Sequence, residues 1–160
     1  MIIRRFTDDD AEKVSALIIR TEKITNSKDY SEEWISAFEK RAQPSDMLER
    51  ASWTHFYVVE DNDSIIGCGA IGPYWDSETE SSLFNIFVSP EYQGTGIGRK
   101  IIETLEQDEY FLRAKRIEIP ASITAVNFYR KLGYDFKNGV DRPDEEQMYR
   151  LEKFRYTDDF

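Results

Sequence analysis

The chain has 160 residues, a length that suits a single domain over 1–160, and its 40% apolar and 32% charged residues are typical of a globular protein. No apolar run approaches the roughly 20 residues of a membrane span, and the acidic residues 8–10 stand where a signal peptide would need an apolar core. The net charge of −10 argues against nucleic acid as a partner, because proteins that bind it carry basic patches.

Two singly occurring residues bear on location and chemistry. Cys68 is the only cysteine, so no disulfide can form within the chain, and we expect a reducing, cytoplasmic location. It lies in an apolar run, which favours a packed core side chain over a reactive thiol. His55 is the only histidine and has no partner nearby in the sequence, so we interpret it as structural or exposed rather than as a base.

The first half of the chain predicts three strands and three helices. Apolar residues at helical spacing predict a helix over 14–21, and Ser31 can cap a second helix that continues to Lys40. A third helix is predicted over 44–51, with Ser45 or Asp46 as its cap. Apolar runs predict strands over 2–6, 56–60 and 65–71, the last two joined by a turn at 61–64.

The second half alternates between strands and helices. One helix is predicted from Ile97 to about Glu109, and another after Ser122, ending at Gly133. The predicted strands cover 83–88, 115–119, 134–136 and 148–152. The tail over 156–160 is expected to fray. Alternating elements of this kind predict an α/β or α+β sandwich.

The stretch from Leu83 to Lys100 combines a strand, a glycine-rich turn and the start of a helix. Glycines at 94, 96 and 98 let the backbone turn tightly and let an anion approach its amides. The first N–H groups of a helix have no partner inside it, and the helix dipole places about half a positive charge there. This stretch therefore predicts a cradle for a pyrophosphate. A glycine-rich turn with no ligand is the alternative.

Two commoner phosphate loops do not fit these residues. The dinucleotide fingerprint counted from Gly94 would need a glycine where Arg99 stands, and the Walker A loop would need Lys-Ser or Lys-Thr after Gly98. The residues present are Gln93-x-x-Gly96-x-Gly98, preceded by a Val-x-Pro-x-Tyr run. This pattern resembles the acyl-CoA loop of the GNAT superfamily of N-acetyltransferases.

A second stretch strengthens that resemblance. Ala125-x-x-Phe-Tyr-x-x-Leu-Gly-Tyr134 is similar to another GNAT motif, and the two motifs occur in the order that the superfamily shows. The resemblance spans nearly the whole chain and implies a mixed, mostly antiparallel sheet flanked by helices. It also implies that two parallel strands, near 83–88 and 115–119, splay apart to admit the CoA arm.

The resemblance further implies an acetyl-CoA-dependent N-acetyltransferase that moves the acetyl group directly to a primary amine. Tyr129 matches the tyrosine that acts as general acid toward the CoA sulfur, although a core aromatic is the alternative. Ile86 to Val88 match the bulged strand end that bonds the thioester carbonyl and the pantetheine arm. The residues expected to bind the cofactor are Ile86, Phe87, Val88, Gln93, Gly94, Thr95, Gly96, Gly98, Arg99 and Ser122.

The chain departs from the superfamily pattern at two positions. Ser122 stands where many members have an asparagine that contacts CoA, and helix capping explains this serine equally well. Asn85 lies on the central strand where many members carry a glutamate base, and an amide cannot be a base. Proton removal would then fall to a water chain or to another carboxylate, for which Glu80 and Glu118 are candidates.

The acceptor is expected to be an amine of a small molecule or a peptide. The superfamily builds its acceptor site from the early helices and a loop between central strands, which makes Tyr74 and Trp75 candidate substrate residues, with Tyr30 and Trp34 as further aromatics. No metal and no membrane contact are expected. Homodimers are common in the superfamily, although the sequence locates no interface. A non-catalytic acyl-CoA-binding module and a purely structural interaction domain are the alternatives.

Overall fold

A computed structural model describes residues 1–155, and within this range seven strands form one mixed sheet in the order β1-β2-β3-β4-β5-β7-β6. All neighbouring strands are antiparallel except β4 and β5, which are parallel. The predicted fraying of 156–160 concerns residues outside the described range. The strands are β1 (Ile2–Arg5), β2 (His55–Asp61), β3 (Ser64–Pro73), β4 (Glu80–Val88), β5 (Arg116–Ala121), β6 (Asp135–Phe136) and β7 (Tyr149–Phe154).

Helices cover both faces of the sheet. None in the described range is both long and apolar enough to cross a bilayer. The helices are α1 (Ala11–Thr25), α2 (Glu32–Lys40), α3 (Pro44–Ala51), α4 (Ile97–Leu105), α5 (Glu109–Leu112) and α6 (Val126–Lys131). The mixed α/β architecture confirms the predicted fold class.

Three predicted details of the helices are wrong. The helix expected to run from Ile97 to about Glu109 ends at Leu105, because the Asp108 carboxylate accepts the Tyr110 N–H and caps a separate short helix. The last helix begins at Val126 rather than after Ser122, since β5 and a turn occupy the preceding residues.

The third correction concerns the start of α3. Its N-cap is Gln43, rather than Ser45 or Asp46. Asp46 instead accepts the Gln43 N–H at 2.8 Å from the third helical position. The carboxylate therefore satisfies the backbone from inside the first turn, an arrangement that a search for the cap residue itself does not detect.

The hydrophobic core has two parts, one on each face of the sheet. On one face α4 packs its buried Ile101 and Leu105 against the sheet, together with Tyr129 of α6. On the other face α1 and α3 cover Phe56, Cys68 and neighbouring strand residues. Cys68 is fully buried, which confirms its interpretation as a core residue.

The sheet opens at the end of β4 and β5. These strands pair only from Glu80 opposite Arg116 to Ser82 opposite Glu118, and β4 then continues to Val88 without a partner on that side. The predicted splay between two parallel strands is thus confirmed, and it begins after the third residue pair.

A β-bulge distorts β4 just beyond the start of the splay. Cys68 pairs with Phe87 and Ala70 pairs with Phe84, so one residue of β3 lies opposite two residues of β4, Asn85 and Ile86. Asn85 has φ = 53°, a backbone region that non-glycine residues seldom adopt. The bulge turns the local backbone at the point where the sheet opens.

Candidate active site

A cavity of about 590 Å³ occupies the opening between β4 and β5. Its walls are Leu83 to Phe87 of β4, Ile119 and Pro120 of β5, Tyr129 of α6, and side chains from the first three helices. The bulge therefore lies in the wall of the cavity, and one end of the cavity reaches the motif around Tyr129.

The glycine-rich loop connects the end of β4 to the start of α4. Gly94 and Gly96 have φ values of 79° and 89°, and no heavy atom lies within 4 Å of the position that a Cβ would take at either residue. This open, left-handed backbone precedes the nine-residue helix α4, whose first amides have no acceptor inside the helix. The loop therefore fits a phosphate-bearing ligand such as coenzyme A.

Gln93 joins this loop to the rest of the fold. Its amide nitrogen donates to the Val88 carbonyl at 3.0 Å and to the Thr25 hydroxyl at 3.1 Å. Thr95 hydrogen-bonds through its hydroxyl to the Tyr92 carbonyl. Arg99 is exposed on the first turn of α4, beside the loop. These contacts hold the cradle at the mouth of the splay.

Gly98 has a packing role in addition to any ligand contact. A Cβ at this position would lie 3.0 Å from the Cζ atom of Phe128. The two sequence motifs therefore touch each other, because Phe128 belongs to the second motif and Gly98 to the first. Adding a side chain at residue 98 would displace the ring that neighbours Tyr129.

Tyr129 lies in the cavity wall and is 5% exposed. Burial raises the pKa of its phenol above the usual value, with a further contribution from nearby Cys68. A phenol with a raised pKa stays protonated across the neutral range and can donate a proton there. Ser122 also lines the cavity, where its hydroxyl accepts the Ala125 N–H at 3.2 Å, which is a local turn contact.

Comparison with known proteins decides the family. The family model for the acetyltransferase (GNAT) domain matches residues 52–135, which is more than half of the chain. The chain belongs to the GNAT acetyltransferase family.

Several relatives resemble this GNAT protein in sequence or fold. An amino-acid acetyltransferase of Pseudomonas syringae pv. syringae is 35% identical over 97 residues, covering 61% of this chain but only 22% of that protein's length. A spermine/spermidine N(1)-acetyltransferase of Bacillus subtilis is 28% identical over 116 residues, covering 64% of this chain and 76% of that one.

Among solved structures, the PaiA N-acetyltransferase of Thermoplasma acidophilum in complex with coenzyme A superposes with a TM-score of 0.81. It covers 96% of this chain and 98% of its own, at 18% identity. At that identity the likeness establishes a shared fold.

Two predicted substrate residues of this GNAT protein lie away from the cavity lining. Trp75 is 82% exposed, and Tyr74 packs against a cluster of charges, with its hydroxyl accepting from Lys137 at 3.2 Å. Their role in binding an acceptor stays a prediction. Trp34 does line the cavity, stacked on Tyr30 at 4.0 Å between ring centroids.

The carboxylates considered as bases are held in ion pairs outside the cavity lining. Arg116 binds the carboxylates of Glu118 and, at 3.4 Å, Glu80. Lys137 adds a second cation to Glu118 at 2.8 Å. His55 contacts Asp108 at 2.9 Å at the start of β2, so a partner that the sequence did not suggest holds it in a structural position.

Among the cavity residues that the sequence did not indicate, Glu22, Asn26 and Arg50 bring polar groups from the first and third helices. Glu22 and Asn26 lie at the end of α1 and are 2% and 5% exposed, and Arg50 lies on α3. Burial raises the pKa of the Glu22 carboxyl, while a hydrogen bond from Asn26 acts in the opposite direction. The only signal in the sequence is a charged residue on the apolar side of α1, beside Ile18 and Thr21, which are also buried.

Proposed function

We propose that this GNAT protein is an acetyl-CoA-dependent N-acetyltransferase that transfers the acetyl group directly to a primary amine of a small molecule or a protein. The supporting observation is the cavity between the splayed strands, which joins the bulge of β4 to Tyr129, while the glycine-rich loop follows the end of the same strand. The PaiA structure with the same fold contains coenzyme A.

Bound acetyl-CoA supplies the reaction with an acetyl thioester. Gly94, Thr95, Gly96 and Gly98 would hold its pyrophosphate through their amides, with Arg99 adding positive charge. The stretch Ile86, Phe87 and Val88 has no strand partner on the open side, so those of its N–H groups that face this side would bind the pantetheine arm and the thioester carbonyl. Ser122 would add a hydroxyl contact.

Tyr129 would donate a proton to the leaving sulfur. The amine nitrogen forms a bond to the acetyl carbon and loses one proton, the carbon–sulfur bond breaks, and the sulfur receives the Tyr129 proton. The proton lost by the nitrogen restores the phenol. An acceptor that arrives as an ammonium also releases one proton to the solvent. A lysine-like amine with a pKa of about 10.4 is only about one part in 10³ neutral at pH 7, so a group near the amine must favour its deprotonation.

The relatives named above act, by their names, on amino acids and on spermine or spermidine. Both classes of acceptor contain primary amines, which agrees with an amine acceptor for this chain. A cytoplasmic location and a homodimer stay predictions.

Thermal unfolding with and without acetyl-CoA tests the cofactor. Ligand at 100 times its Kd adds about 2.7 kcal/mol to the free energy of unfolding, which in a domain of this size raises Tm by roughly 5–11 °C. We expect Gly96→Trp to lose this shift, because the indole would fill the space that the phosphate needs.

Gly139→Trp is the matched control. Gly139 also has a left-handed φ of 73° and open space around its Cβ position, but it lies outside the loop. A shift that persists in Gly139→Trp and disappears in Gly96→Trp supports the site. No shift in the wild type contradicts the proposed function, and a shift without CoA release from any amine favours a non-catalytic binding module.

A further inference from the structure

The end of α1 brings hydrogen-bond acceptors into the cavity. The Asn26 amide nitrogen donates to a Glu22 carboxylate oxygen at 2.9 Å, which leaves the Asn26 amide oxygen buried and without a partner. Glu22 and Asn26 are both more than nine-tenths buried. Buried polar atoms are nearly always hydrogen-bonded, so the Asn26 amide oxygen calls for a donor that the chain does not provide.

A third acceptor comes from the opposite wall. The side-chain oxygen of Asn85, at the bulge of β4, is also buried and without a hydrogen-bond partner. Asn85 lies where the sheet opens toward the glycine-rich loop, so a ligand that reaches it also reaches the backbone assigned to the thioester. An amino group has only N–H donors when protonated, so it offers the kind of donor that these acceptors call for.

A cation lines the same cavity. The Arg50 guanidinium of α3 lies 4.2 Å from the centroid of the Phe84 ring, and Phe84 precedes Asn85 on β4. No ion pair joins Arg50 to a carboxylate anywhere in residues 1–155. Burial lowers the pKa of Arg50, and only the charge of its neighbour Glu49 opposes this effect.

The other arginines of the cavity are less suited to a ligand. Arg150 is already bound to Asp144 at 2.6 Å and lies 3.7 Å from Glu146, while Arg41 is exposed at the end of α2. A planar guanidinium matches a carboxylate, and a half-buried one without an ion pair gains most from meeting one. Arg50 therefore points to an acidic group on the ligand.

We propose that the acceptor is a small primary amine that also carries a carboxylate, with its amino group against Glu22, Asn26 and Asn85 and its carboxylate against Arg50. This substrate class rests on the proposed function, since it describes the acceptor of the same reaction. A second ammonium of a polyamine would be repelled by the Arg50 cation, but Glu145 and Glu146 also line the cavity, so spermidine is the acceptor that tests this point directly. An amine without an acidic group would leave that cation unpaired.

The test is CoA release from acetyl-CoA with matched acceptors. Each free amino acid, including β-alanine and 4-aminobutyrate, is assayed beside its amide and its decarboxylated amine, with spermidine and an N-terminal peptide alongside. We expect at least one free amino acid to exceed its amide in kcat/KM by about ten- to a hundredfold, as for other hydrogen bonds to charged groups.

Arg50→Met tests the assigned partner of the carboxylate. We expect it to lower kcat/KM for the preferred amino acid by about ten- to a hundredfold more than kcat/KM for the amide. Arg5→Met is the matched control, because Arg5 also stacks on an aromatic ring, at 5.5 Å from Tyr57, but lies outside the cavity lining. It should change neither value.

The outcomes separate this proposal from the proposed function. The substrate class is overturned if the enzyme prefers amides, decarboxylated amines, spermidine or the peptide. Acetyl transfer to any of these still supports the proposed function. An equal loss of kcat/KM for the amino acid and its amide in Arg50→Met also overturns the substrate class, since Arg50 would then only pack against Phe84. Failure of every amino acid overturns it as well. No turnover together with no Tm shift from acetyl-CoA contradicts the transferase itself.

Discussion

Glu22 accepts a hydrogen bond of 2.9 Å from Asn26, one helical turn further along α1, and both side chains are buried in the wall of the cavity. Among residues 1–155, no cation forms an ion pair with the Glu22 carboxylate. A buried carboxylate without an ion pair lowers the stability of the folded state. Its presence here therefore agrees with a role in binding a ligand.

Glu22→Gln should stabilise the protein and impair it as an enzyme. Because burial raises the pKa of Glu22, the folded state holds its proton more tightly than the unfolded state, and wild-type stability falls as pH rises above the unfolded value. Glutamine keeps an oxygen for Asn26 but carries no charge. We therefore expect the Tm of the variant to exceed that of the wild type, with a difference that grows from pH 4 to pH 8.

The same variant should lower kcat/KM by about ten- to a hundredfold, because the amino group loses a charged acceptor. Glu106→Gln is a control with a carboxylate outside the cavity, where Tyr134 and Lys153 bind it. A Tm of Glu22→Gln that lies below the wild type at pH 8 would contradict the unfavourable burial of this charge.

Tyr129→Phe should lower kcat by roughly 10²- to 10⁴-fold while the Tm shift with acetyl-CoA persists. The reason is that the phenol, buried and protonated, is the donor assigned to the leaving sulfur. Tyr134→Phe is the matched control, since this nearly fully buried tyrosine donates to Glu106 at 2.9 Å and lies outside the cavity lining. Equal kcat values for wild type and Tyr129→Phe would remove Tyr129 from the mechanism.

Asp10→Asn should destabilise the fold near neutral pH. Arg4 holds Asp10 through two hydrogen bonds of 2.9 Å, and this contact lowers the pKa of the Asp10 carboxyl. We expect the variant to lose about 1.5–3 kcal/mol at pH 7, the range for hydrogen bonds to charged groups. Because the folded pKa is depressed, the difference should persist above the unfolded pKa of about 3.9 and shrink as pH falls through the folded value.

Urea unfolding at pH 7 and pH 3 measures this difference. Asp9→Asn is the control, because Asp9 is exposed on the same short turn. A loss for Asp10→Asn that is the same at both pH values would mean that shape rather than charge stabilises the contact.

Gly69→Ala should destabilise the protein by about 1–3 kcal/mol, as overpacking of a core usually does. Gly69 is the β3 residue opposite the bulge, and a Cβ there would lie 2.7 Å from the Cγ2 atom of Ile101 on α4. Chemical denaturation measures the loss. An unchanged midpoint would show that α4 can move away from the sheet without cost.

Much of the fold was predictable because its signals are local. Ser31 caps α2 by accepting the Trp34 N–H, as its position before an apolar helix face predicts, and Gly133 adopts φ = 97° after the last turn of α6. The capping of α3 and the break after Leu105 were not predictable in the same way. Each depends on which of several equivalent backbone N–H groups binds one carboxylate, that of Asp46 in the first case and that of Asp108 in the second.

The sequence by itself determined the glycine-rich loop, the motif around Tyr129 and the family, because each depends on residues a few positions apart whose backbone needs are local. The tertiary structure alone decided which residues share the cavity. Glu22 and Arg50 lie on different helices, and they line one cavity with Asn85 only because α1 and α3 pack on the sheet. Trp75 was a candidate substrate residue because it is aromatic, but its side chain is exposed to solvent. Residue type does not specify whether a side chain reaches a cavity, since that depends on how the elements pack.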